Sequence, residues 1–155
     1  MASLLTTTAE ALKTAINAAP PGTYSQSFTA IRVAKPLHLA EQLDTLQVQV
    51  APFAINIGDA INRGGARRKE IEIQVAVIKR ISAEFDPTSA SANATIDPLI
   101  QLVEEIAAYP AYGNEIVSGV TLLKASAPLP FEPGELEGRA IFLGVAQFTF
   151  LNFSR

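Results

Sequence analysis

The residues able to do chemistry are few and dispersed. Histidine occurs once, as His38 between Leu37 and Leu39 just after Pro36, and one imidazole cannot build a multi-histidine metal site. Its leucine neighbours make it a packing or surface residue. Serine, histidine and aspartate are all present, but no spacing joins them into a nucleophile, a base and an orienting acid. Glu104 and Glu105 offer two carboxylates, yet neighbouring side chains on a helix point about 100° apart and do not converge on one atom. They read as the solvated side of a helix. The glycines of Arg63-Gly64-Gly65 and Gly134 lie in no strand–turn–helix setting of the kind that cradles phosphate. Cysteine is absent, which excludes disulfide scaffolds, thiolate metal sites and cysteine nucleophiles. The expectation is a protein that is not an enzyme, with no catalytic residues, no cofactor and no metal.

Two charged segments and one aromatic one remain as candidates for contact. Arg63, Arg67, Arg68 and Lys69 concentrate positive charge beside paired glycines, a candidate docking loop reaching for an acidic surface. No aromatics interleave with these cations, so specific nucleic-acid binding gains no support. Glu132, Glu135 and Glu137 form the opposite, a candidate acidic contact loop. Copies stacked head to tail could bring the two together, as a heterologous ring interface permits. Phe148, Phe150 and Phe153 close the chain as a candidate subunit interface, because contiguous apolar surface usually marks one.

The elements that must position these groups belong to a single domain spanning residues 1–155, a length typical of one folding unit. Hydrophobic residues make up 48% and charged ones 17%, too apolar for a disordered tail and sparse in the charge that keeps monomers apart. The net charge of −3 speaks against a basic face for gripping nucleic acid. No stretch reaches the roughly 18 uninterrupted apolar residues of a membrane span. The start, Met1 to Ile16, has no basic leader and does not read as a signal peptide.

Leu5, Ala9, Leu12 and Ile16 fall at helical spacing, with Thr7 and Glu10 as a capping box and Pro20-Pro21-Gly22 as the stop. Phe28 to Ala34 reads as a first strand. Leu46, Val48 and Val50 alternate with Gln47 and Gln49 in a second, and Gly58 to Lys69 reads as a mobile, solvated loop. Ile71, Ile73, Val75 and Val77 alternate with Glu70, Glu72 and Gln74 in a third, the clearest strand of the sequence. Ser82 to Ala94 reads as a loop, and Asp97-Pro98 as the start of a second helix ending at Tyr109-Pro110. Val117 to Ser126 and Ala140 to Phe153 complete the set, the latter apolar enough to need cover on both faces over much of its length. The order α-β-β-β-α-β-β predicts an α+β fold: a mainly antiparallel sheet of four to five strands with two helices packed on one face.

As an ordered pattern, these segments resemble the tail terminator, or tail-completion, proteins of tailed bacteriophages. The features that carry the likeness are the opening helix ending Ala15-Ile16-Asn17-Ala18-Ala19 and Ser27-Phe28-Thr29-Ala30 leading into a strand closed by Lys35-Pro36. Leu43-Asp44-Thr45-Leu46-Gln47-Val48-Gln49-Val50-Ala51-Pro52, the charged loop and Glu72-Ile73-Gln74-Val75-Ala76-Val77 follow. The helix from Asp97 to Ile106 and the closing Phe148-Thr149-Phe150 strand complete the pattern. Ser82 to Asn93 and Leu129 to Glu137 carry no family signature. The resemblance implies a structural virion protein: a ring, usually hexameric, that caps the tail tube and joins it to the head connector. Its partners would be copies of itself, the tail tube protein and the connector protein, with DNA passing through the lumen unread and no membrane involved. It would assemble in the host cytoplasm and reside in the virion neck. Other readings are a connector adaptor or tail-tube subunit, or a small-molecule-binding α+β domain.

Overall fold

Ser3 opens the first helix, α1 (Leu4–Asn17), from extended backbone, its hydroxyl accepting from the Thr6 amide at 3.1 Å. The cap therefore lies four residues ahead of the expected Thr7. Thr8 and Thr14 remain in the helix by donating to the carbonyls of Leu4 and Glu10, at 2.8 and 3.0 Å. Ala9, Leu12 and Ile16 are buried, as their spacing predicts. The computed structural model describes residues 2–36, 44–60, 63–81, 86, 88, 90–110, 115–129 and 141–154.

Six strands follow, β1 (Ala30–Arg32), β2 (Gln47–Ala60), β3 (Arg67–Arg80), β4 (Glu115–Val117), β5 (Val120–Leu129) and β6 (Ile141–Ser154), with α2 (Ala90–Ala108) between β3 and β4. They form one sheet in the order β1-β2-β3-β6-β5-β4. The expected sheet of four to five mainly antiparallel strands is corrected on two counts. Among the described residues there are six strands, because Glu115–Val117 adds a short edge strand, and the sheet is mixed, because β1 pairs parallel to β2. The sheet also curls into half a barrel around the helices.

One face of the sheet holds Val48, Val50, Ile71, Ile73, Val75, Val77, Phe142, Ala146, Phe148 and Phe150 against the buried stripes of both helices. The alternation read in β3 thus sorts its side chains correctly. On the other face a smaller cluster, Ala76, Ile78, Ile141 and Val145, is buried at the end away from the β2–β3 hairpin. This explains why β6 lacks polar alternation in its first half. Further along, its outward residues Gln147, Thr149 and Leu151 are half-exposed and Phe153 is open to solvent.

Helix α2 begins at Ala90, seven residues before the expected Asp97 N-cap, with Pro98 inside it. Ala92 and Ile96 extend the stripe of Leu99, Leu102, Val103 and Ile106 backwards, and that continuous burial outweighs the lost proline hydrogen bond. Helix α1 is fastened to the sheet by Asn17. Its amide donates to the Ala30 carbonyl at 3.0 Å and accepts from the Ala30 amide at 2.8 Å. Asn17→Ala strands both groups of a residue only 2% exposed, and is expected to cost about 1–3 kcal/mol in urea unfolding, with Asn17→Asp retaining part of it.

Candidate assembly surface

Gly58 to Lys69 is not one long loop. Strand β2 continues through Gly58 and Asp59 to Ala60, and β3 already begins at Arg67. Ile57 pairs with Lys69 and Ala60 with Arg67, so half of the segment belongs to strands. The paired glycines mark the turn between the strands, where Gly65 takes a φ of +77° that favours glycine.

The hairpin raises the cations without converging them. Arg63, Arg67 and Arg68 are exposed and Lys69 is half-buried. The register separates them by face. Lys69 lies opposite Ile57 and Asn152 on the helix side, whereas Arg68 lies opposite Phe153 on the other. Arg68 is engaged with Glu70 at 2.7 Å, an exposed pair that contributes little to stability. Beside it, Asn56, Ile57, Gly58, Arg68 and Glu70 line a shallow hollow of about 320 Å³.

The aromatic candidates separate too. Phe148 and Phe150 are fully buried, stacked with ring centres 6.4 Å apart. They belong to the core that holds the helices and cannot touch a neighbour. Phe153 is 59% exposed and remains a surface aromatic. Glu132, Glu135 and Glu137, like His38, lie outside the described residues.

Three apolar side chains of β2 escaped sequence reading: Phe53, Ile55 and Ile57, which are 56%, 37% and 54% exposed. Covering a large apolar side chain completely contributes about 1.5–3 kcal/mol, so these half-open residues are a reservoir for association. They also sit on a bare strand. Among the described residues β1 pairs with β2 only at Val48 to Val50, leaving Pro52 to Ala60 as an edge. Pro52 fits such an edge, where a missing donor costs nothing, and a register shift sits between it and Ala54. A long apolar edge is a template for another strand.

Glu105, read as merely solvated, ties α2 to the loop after α1. One carboxylate oxygen accepts from the Ser25 amide and hydroxyl at 2.8 and 3.0 Å, and the other from Gln101 at 2.9 Å. Tyr24 packs between Phe28 and Tyr109, and burial, with Tyr109 and Glu105 close by, holds its phenol above the ordinary range. A cleft of about 260 Å³ opens nearby, lined among others by Ala15, Tyr109, Glu115 and Phe150. It lies below the usual size of ligand sites and has few convergent polar groups. Among the described residues no group of three acidic, histidine or cysteine side chains could hold a metal ion, and no helix is long and apolar enough to cross a membrane. No family model and no curated protein matches this chain.

Proposed function

We propose that this chain is a structural virion protein, a tail terminator whose copies form a ring that caps the tail tube and meets the head connector. The observation that carries the reading is the bare half of β2, with Phe53, Ile55 and Ile57 exposed on an edge whose backbone groups have no strand beside them among the described residues. A monomer gains nothing from such an edge and risks aggregation, whereas an assembling subunit uses it. The resemblance of the sequence segments to tail terminators supports a position at the end of the tail. The cationic hairpin tip then docks on an acidic neighbour, and DNA passes without being read.

Uncapped tail tubes incubated with the purified protein should acquire a disc at one end in negative-stain images. Substituting the exposed Arg63 and Arg67 by glutamate should prevent this while leaving the melting temperature unchanged. Excising Arg63 to Arg68 is a poorer test, because Arg67 and Arg68 pair with Ser154 and Phe153 in the sheet.

A further inference from the structure

Among the described residues the sheet has two bare edges, and they are complementary. On one side β1 covers only Val48 to Val50 of β2, leaving Pro52 to Ala60. On the other, β4 covers only Val120 and Thr121 of β5, leaving Leu122 to Leu129 without a strand among the described residues. The free segments are nearly equal in length and reach toward opposite ends of the sheet, overlapping where Pro52 is level with Ala125 and Ile55 with Leu122. Through the ladder, Val120 is level with Asn152 and Lys69 beside the hairpin, whereas Leu129 is level with Val145 at the far end. Strands β2 and β5 also run in opposite directions, since each step from β2 through β3 and β6 to β5 is antiparallel.

The geometry points to a second copy of this chain as the occupant of the β2 edge: its β5 adds antiparallel to Pro52 to Ala60, with the two copies staggered along the strands. The stagger is required, because at equal height the neighbour's β4 would occupy the place that β2 needs. Once shifted, β1 and β4 fill the steps at either end, as in a lap joint. The charges agree with it. The shift sets the first residue of the neighbour's β4, the exposed Glu115, end-on against the hairpin turn bearing the exposed Arg63 and Arg67. Such a joint is heterologous, so each copy offers one edge to each neighbour, and a staggered register is what a closing sheet needs. This inference rests on reading the chain as a self-assembling subunit, and it holds whichever virion part that subunit is.

The absence of native cysteine allows a clean test. Asn56 and Lys124 are exposed and point to the same side of the sheet, opposite Glu70 and Thr149. Within one chain their strands lie three spacings apart, roughly 14 Å, beyond a short bis-maleimide. The doubly substituted Asn56→Cys/Lys124→Cys protein, treated with that reagent, should give a ladder of dimers, trimers and larger species on a denaturing gel. Each single substitution should stay monomeric. Arg67→Glu should lower the yield roughly fivefold, and adding Glu115→Lys in the same chain should restore it. Dimers from Asn56→Cys alone would mean that two β2 edges meet each other; that result, or no ladder from the double variant, overturns the joint. A ladder from protein that fails to cap tail tubes would keep the joint and discard the virion role. Capping without a ladder would do the reverse.

Discussion

Phe148→Ala lowers the stability of the isolated subunit by about 3–5 kcal/mol, the cost of emptying a large aromatic site in a packed core. Phe148 is fully buried, opposite Ile73 on one side and Ala125 on the other, with Phe150 stacked on it. Neither strand can collapse into the void without breaking the central ladder. Urea unfolding should show a lower midpoint at unchanged slope. Phe153→Ala, five residues on, removes a ring that is 59% exposed and should change stability by less than about 0.5 kcal/mol. The contrast separates the closing aromatics: Phe148 and Phe150 hold the fold, and Phe153 is a surface ring.

Ile55→Lys/Ile57→Lys has the opposite profile. Both side chains are open in the monomer, at 37% and 54%, so replacing them should leave the unfolding midpoint nearly unchanged. Assembly loses two apolar contacts and gains two charges in a joint that excludes water. Scaled to the share still exposed, the two side chains contribute about 1.4 kcal/mol or more together, so the dissociation constant should rise at least roughly tenfold. Analytical ultracentrifugation of variant and parent over the same concentration range reads this directly. A variant that unfolds would mean that these isoleucines serve the core, and one that assembles normally would place the joint elsewhere.

The parts legible in the sequence were those governed by local period. Ile71, Ile73, Val75 and Val77 alternate and are all buried, and α1 buries the stripe its spacing marks. The placement of both helices on one face also follows, since they share one core with the inward side of the sheet. What misled were residues whose meaning depends on neighbours distant in sequence. The alternation of β2 stops at Val50, yet the strand runs on through Pro52, which sits at an edge and a register shift where it breaks nothing. Pro98 looks like a first helical residue, yet Ala92 and Ile96 bury a further turn and a half ahead of it. Arg67, Arg68 and Lys69 look like loop by charge, but they pair with Ser154, Phe153 and Asn152, partners more than eighty residues away.

The candidate contacts divide in the same way. The hairpin cations were visible because exposure is the ordinary state of arginine. Phe148 and Phe150 look like surface aromatics in the sequence because alternation identifies two faces without saying which one the helices cover. The β2 edge was invisible for a stronger reason. An edge is defined by which strands fail to pair, and β1, only three residues long, ends its cover at Val50. No local pattern in Pro52 to Ala60 encodes that.

Self-association of this chain is tested most directly by its mass in solution. Light scattering on the eluting protein over a wide concentration range should give species at whole multiples of the 16.5 kDa chain, growing with concentration and lost in Ile55→Lys/Ile57→Lys. A single 16.5 kDa species at every concentration, with parent and variant indistinguishable, would contradict it.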